Sequence, residues 1–212
     1  MGDMEKVTSC ALLANWGLGA ALLGSLLQRT DVAVCFVVTA WDHDSADPWQ
    51  NAVHDMALAS GIACHQEREL SFDQLQALLV AEEVDLLLVH AGRRILPEKV
   101  FAAPRRGSIN FHPSLLPRHR GGAPSYWVLR QKELQTGLTS HVIDAGMDTG
   151  PIVAQAAVPV TAGDSIGSIV EKLKHLVPEL VQATFERLAD PSFTPEEQDE
   201  TLATYDPRPP KD

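Results

Sequence analysis

Short continuous apolar runs alternate along this chain with longer stretches in which apolar residues recur every three or four positions. Val7 to Leu13 and Val32 to Thr39 are runs of the first kind, and the second is rich in β-branched residues, as a strand buried on both faces requires. Between them, Gly19 to Leu27 sets Ala20, Leu22, Leu23, Leu26 and Leu27 at helical spacing. Residues 49–60 predict a second helix ended by Gly61, and Phe72 to Glu83 a third with Ser71 or Asp73 near its cap. Val84 to Ala91, centred on Leu86-Leu87-Leu88-Val89, reads as the central strand. Ser108 to Phe111 reads as the end of another strand, and Gly137 to Ile143 and Pro151 to Val160 as two more. A helix from about Ser165 to Leu188 follows, with Asp164 or Thr161 near its start. Strands alternating with helices predict an α/β fold: a Rossmann-like open, mostly parallel sheet with helices on both faces.

Residues 1–189 are expected to form one domain. Residues 190–212 hold Pro191, Pro195, Pro207, Pro209 and Pro210 among acidic side chains and read as a tail or a surface arm. The 212-residue length, with 45% apolar and 21% charged residues, suits one well-cored globular domain. A net charge of −11 argues against nucleic acid as partner, because such binding draws its affinity from Lys and Arg neutralising phosphates. Cys10, Cys35 and Cys64 are odd in number and lack metal-ligand spacing, which fits reduced thiols filling a core in a cytoplasmic protein. No apolar run approaches membrane-spanning length, so no membrane association is expected.

Ligands of such sheets sit beyond the carboxyl ends of the strands. Asn15-Trp16-Gly17, His90-Ala91-Gly92 and the Asn110 to Pro117 loop are the tips that fit. Alternation along a strand sends Asn110 and His112 to one side, while Pro113 and Pro117 stiffen the loop that follows. An amide beside an imidazole there supplies an oxyanion donor next to a general base. Asp148, in Gly146-Met147-Asp148-Thr149-Gly150, adds a carboxylate whose contact with His112 the linear order leaves open. Gly17-x-Gly19 with Gly24 departs from G-x-G-x-x-G and reads as a tight turn with close packing. A nicotinamide oxidoreductase, with Asp42 or Asp44 on the ribose, is the alternative from a different class.

Asn110 to Pro117, Arg120-Gly121-Gly122-Ala123-Pro124 and Met147-Asp148-Thr149-Gly150-Pro151-Ile152 together resemble the folate-dependent formyltransferase family. That family includes glycinamide ribonucleotide, methionyl-tRNA and sugar N-formyltransferases, and the resemblance covers most of residues 84–160. It implies transfer of a formyl group from 10-formyltetrahydrofolate to a primary amine, with Asn110, His112 and Asp148 as the catalytic set and no metal. Asn110 and His112 would stabilise charge on the formyl oxygen, His112 would shuttle the proton, and Asp148 would orient His112 and an ordered water. Arg94-Ile95-Leu96 resembles the segment whose backbone holds the pterin, and Val142-Ile143-Asp144 the second pterin loop. Ile95, Leu96 and Val142 are equally read as core-packing positions. Leu116-Pro117 occupies a position where the family can carry a cis peptide.

Departures from the family bear on the acceptor. Where glycinamide ribonucleotide enzymes carry small polar residues around a phosphate, this chain has Trp16 and Leu18. The initiator-tRNA enzymes have a further basic C-terminal domain, which this acidic chain is expected to lack. Tyr205-x-Pro207-Arg208 resembles a segment of the tRNA and sugar enzymes, although the sugar enzymes carry extra C-terminal structure. The expected acceptor is therefore a small-molecule amine: an amino sugar, free or nucleotide-linked, or an amino acid or specialised metabolite. Trp16, Tyr126 and Trp127 are candidates to stack on it, or else core and rim residues. A formyltetrahydrofolate deformylase, a glycinamide ribonucleotide formyltransferase and an inactive folate binder are the other readings.

Overall fold

The computed structural model describes residues 7–47 and 49–209. Its chain divides into two compact units between Ile109 and Asn110, and the fold is α/β with a mostly parallel, mixed sheet flanked by helices.

The first unit runs β1 (Thr8–Ala14), α1 (Trp16–Leu27), β2 (Val32–Thr39), α2 (Ala52–Ala59), β3 (Ala63–Gln66), α3 (Phe72–Ala81), β4 (Leu86–His90) and α4 (Glu98–Phe101), and reaches into β5 (Ser108–His112). Its strand order is β3-β2-β1-β4-β5. The β1 strand pairs in parallel with both β2 and β4 and so lies inside the sheet, and its apolar residues 10–14 are buried throughout. Leu12, Leu13, Phe36, Val37, Leu87 and Leu88 form the centre of this core. At Gly19 an added Cβ would lie 3.0 Å from Ala14 Cβ, so the Gly17-x-Gly19 pattern serves close helix–strand packing. Ser71 caps α3 in a reciprocal box with Gln74. The short β3 strand was not foreseen: Ala63-Cys64-His65-Gln66 is a partly exposed edge strand, too short and too polar to carry a period of two.

The second unit takes the end of β5 and continues with β6 (Arg120–Gly121), α5 (Pro124–Arg130), β7 (Gln135–Val142), β8 (Ile152–Pro159), α6 (Ile166–Ala189) and β9 (Tyr205–Asp206). Strand order here is β5-β7-β8, with β7 and β8 antiparallel. Ile169, Leu173, Val177, Leu180, Val181 and Phe185 form one buried face of α6, which packs on β8 and β7. The helix is capped by Ser165 rather than by Asp164 or Thr161; Asp164 instead accepts from Thr161 N, Ser168 Oγ and Lys172 Nζ. Residues 190–209 are tied in: Glu196 bridges Ile152, β9 pairs with β6, and Gln198 and Asp206 are buried. The Leu116-Pro117 peptide is cis.

All three cysteines are free thiols. Burial pushes the Cys10 thiol up to about 12 and Cys64 to about 11, so neither is poised as a nucleophile at neutral pH. Among the described residues no helix is long and apolar enough to cross a membrane.

Candidate active site

The second unit gathers the polar end of β5 against the loop between β7 and β8. Asn110 and His112 leave β5 on the same side, as alternation requires, and Asp148 meets both. Asp148 Oδ1 accepts from Asn110 Nδ2 at 3.2 Å, and its Oδ2 lies 3.6 Å from His112 Nδ1. Oδ2 also accepts the Gly121 N–H at 2.8 Å. Asp148 itself sits in the left-handed region at φ 55°, which turns its carboxylate back toward β5. Gly121 has φ 96°, and an added Cβ would come within 2.6 Å of the Asp206 carbonyl oxygen, so only glycine places that N–H on Asp148.

Partners assign the protons. His112 Nε2 stands 2.8 Å from the His119 carbonyl oxygen, which can only accept; Nε2 therefore carries the hydrogen and Nδ1 is the free basic nitrogen facing Asp148. His141, on β7, donates from Nδ1 to the Val142 carbonyl at 2.9 Å and accepts at Nε2 from Asn110 Nδ2 at 3.1 Å. Both amide hydrogens of Asn110 are thus directed inside the cluster, one at Asp148 and one at His141.

Burial pushes the His112 imidazole below its ordinary value, and the opposing pull of Asp148 and of the His119 carbonyl offsets this only in part. Burial would raise the Asp148 carboxyl, but the neighbouring His112 and His141 rings and the Gly121 N–H outweigh it and hold it well below the usual carboxylate range. The cluster at neutral pH is a neutral imidazole beside a carboxylate. Both shifts act in one direction on stability. With its pKa lowered by folding, His112 contributes fully above its unfolded value of about 6.5 and loses that contribution as pH falls toward its folded value. Asp148 contributes fully above its unfolded value of about 3.9 and loses it only in stronger acid. Thermal unfolding followed from pH 7 to 5 should show a falling Tm, with a shallower fall in His112→Asn; parallel curves for the two proteins would contradict this assignment.

The residues matched to folate contacts lie in both units. In the first, the Arg94 side chain is committed locally: its guanidinium donates to the Glu67 and Leu70 carbonyls at 2.9 and 2.8 Å and covers the Phe72 ring. The Arg94 guanidinium is thus engaged within its own unit. The core-packing reading of Ile95 fails, since Ile95 is 78% exposed in the loop after β4, while Leu96 is half-buried. In the second unit Val142, Ile143 and Asp144 are half-buried. Asp144 accepts from Gly146 N at 3.0 Å and Thr149 Oγ1 at 2.7 Å, so its carboxylate shapes the loop that carries Asp148.

Other tips are cross-linked. Asn15 donates to Glu67 Oε2 and to the Ala91 carbonyl and accepts from Ala40 N, joining the ends of β1, β2 and β4. Glu67, buried, also accepts the Arg93 N–H at 2.8 Å. Trp16 has φ 59° and is 38% exposed, with the Arg93 guanidinium 5.4 Å from its ring centre. Asp42 accepts the Asp44 N–H within a turn, and Trp127 Nε1 donates to the Pro207 carbonyl while its ring stands edge-on to Tyr126. Sequence reasoning missed His141, Glu67 and Gln198. His141 alone left a trace, since period-two alternation from Thr139 puts it on the face of a strand already expected.

A formyl transferase family model matches residues 19–184. A methionyl-tRNA formyltransferase of Ectopseudomonas mendocina (strain ymp) is 39% identical over 153 residues, covering 72% of this chain and 49% of that protein. The chain thus spans about half the length of the curated relatives it matches. Among solved structures, the phosphoribosylglycinamide formyltransferase from Bacillus halodurans aligns with TM-score 0.73 at 22% identity, over 87% of this chain and 97% of that one. A 4-N formyltransferase from Francisella tularensis aligns with TM-score 0.72 at 18% identity, over 94% and 76%. At these identities the two structures speak to the fold alone.

Proposed function

Because the chain belongs to the formyl transferase family, we propose that it moves a formyl group from 10-formyltetrahydrofolate to the primary amine of a small molecule: an amino sugar, free or nucleotide-linked, or an amino acid or specialised metabolite. One observation carries this reading: a half-buried carboxylate and a free imidazole nitrogen, 3.6 Å apart, beside a side-chain amide. The folate, when bound, supplies the formyl carbon and a nitrogen that leaves with a proton.

The residues present suit that chemistry. As the amine nitrogen bonds to the formyl carbon, the C=O electron pair moves to oxygen and the amine must lose a proton. His112 Nδ1, the unprotonated nitrogen, takes it, and the resulting imidazolium then stands against the Asp148 carboxylate. As the oxygen's electron pair re-forms C=O and the bond from the formyl carbon to the donor nitrogen breaks, the same His112 nitrogen returns the proton to that leaving amine, yielding a formamide and tetrahydrofolate. Asn110 supplies a hydrogen to the developing oxyanion by exchanging its His141 partner for the substrate oxygen. Asp148 stays ionised throughout. The backbones of residues 94–96 in the first unit and of residues 142–144 in the second are the segments matched to pterin contacts.

Similarity to methionyl-tRNA formyltransferase favours a second reading, with an aminoacylated tRNA as acceptor. Charge supports the small amine: the chain carries −11, and Asp42, Asp44 and Asp47 crowd the loop beyond β2, where a phosphate backbone would find repulsion. Tetrahydrofolate release should be followed with water alone, with a panel of amino sugars, nucleotide-linked amino sugars and amino acids, and with methionyl-tRNA. Amine-dependent release supports the reading; release in water alone marks a deformylase, and release only with the tRNA replaces the small acceptor.

A further inference from the structure

Residues 198–206, distant in sequence from the cluster, touch both halves of the His112–Asp148 pair. Gln198 lies between two loops of the second unit with every hydrogen-bonding group of its amide used. Its Nε2 donates to the Asp148 carbonyl at 2.9 Å and to the Gly150 carbonyl at 2.7 Å. Its Oε1 accepts from Arg120 Nε at 3.0 Å and Arg120 Nη2 at 2.8 Å. Arg120, wholly buried, is further held by Glu200 and by the Tyr205 hydroxyl. The residue after Arg120 is Gly121, whose N–H bonds the Asp148 carboxylate. One side chain therefore fixes both the backbone that bears the carboxylate and the backbone that donates to it. On the other half, the His119 carbonyl that receives His112 Nε2 belongs to a residue pinned twice: its N–H donates to Thr204 Oγ1 at 2.7 Å, and its Nδ1 to Asp206 Oδ2 at 2.6 Å.

We infer that the segment Gln198–Asp206 is a clamp that sets the His112–Asp148 distance, with Gln198 as a positioning residue that acts through Asp148 and Arg120 and touches no substrate. The inference deepens the formyl-transfer reading and rests on it for its kinetic consequence. Gln198 satisfies the carbonyl of Asp148 itself, the residue whose left-handed backbone carries the carboxylate. Release of that carbonyl lets the peptide on either side of Asp148 rotate, and the carboxylate drifts from the imidazole.

Two full-chain variants test this. Gln198→Leu removes all four bonds; Gln198→Glu keeps a partner for Arg120 but turns an acceptor toward the Asp148 and Gly150 carbonyls. Each should lose about 10²-fold in kcat, the scale of a 1 Å misplacement, with KM for the folate donor little changed. Titration of the His112 ring by nitrogen NMR should show its midpoint moved to lower pH in both variants. The groups facing that ring are Asp148, His141 and His119, and of these Asp148 is the one that favours the charged ring. A folded variant with kcat near that of the native chain and an unmoved His112 titration overturns the clamp. Should Gln198→Leu fail to fold, Gln198→Glu decides. A native chain that forms no product with any amine sinks the proposed function, and the ring titration still decides the clamp.

Discussion

Replacement of His112 by alanine is expected to lower kcat by about 10²- to 10⁴-fold, the range associated with a lost general acid–base group, while the protein keeps its fold. The reason lies in the two partners of the ring. Nε2 is fixed as a donor by the His119 carbonyl, so Nδ1 is the atom available to accept a proton, and no other described base of the cluster is free for it. In the resting cluster the Asn110 amide occupies His141 Nε2, and Asp148, held well below the usual carboxylate range, is a poor proton acceptor. The fold should survive because Asp148 keeps its bonds from Gly121 and Asn110 after the ring is gone. Steady-state turnover with the amine that proves active, together with circular dichroism, checks this; near-native kcat would remove the shuttle role.

Asp148→Asn is expected to cost on the order of 10³- to 10⁴-fold in kcat, the scale seen when a carboxylate that orients a catalytic histidine becomes an amide. The new side chain has nearly the same shape and can still accept from Gly121, but it no longer offsets the imidazolium that forms when His112 takes the proton. With its oxygen kept on the Gly121 N–H, its amide nitrogen faces Asn110 Nδ2, where the carboxylate now accepts. Stability at neutral pH should change far less than turnover, because the substitution also removes the cost of burying a charge. Differential scanning calorimetry at pH 7 beside kcat separates the two effects. A large fall in Tm with kcat preserved would make Asp148 a structural residue instead.

Legibility followed physical length scale. The β2 and β4 strands and the α1 and α6 helices were readable because each repeats its burial over many residues, so a single face is encoded several times. At β3 the strand holds only four residues on a sheet edge, and nothing repeats. Asn110 and His112 were readable as a pair because strand alternation is local. The roles of His141, Glu67 and Gln198 were hidden, since each depends on a carbonyl, an amide or a carboxylate brought from far along the chain. Ile95 shows the converse: hydrophobicity alone suggested core, and the loop conformation leaves the side chain exposed.

The sequence by itself determined the α/β alternation, the side of β5 on which Asn110 and His112 lie, the stiffness of the loop after them, and a net charge of −11. All of these follow from residue type and short-range periodicity. Only the tertiary structure decided that Asp148 faces His112, which His112 nitrogen is free, and that the segment ending at β9 holds both in place. Those outcomes depend on backbone carbonyls and a left-handed turn at Asp148, groups that every residue possesses or conformations that side-chain identity does not announce.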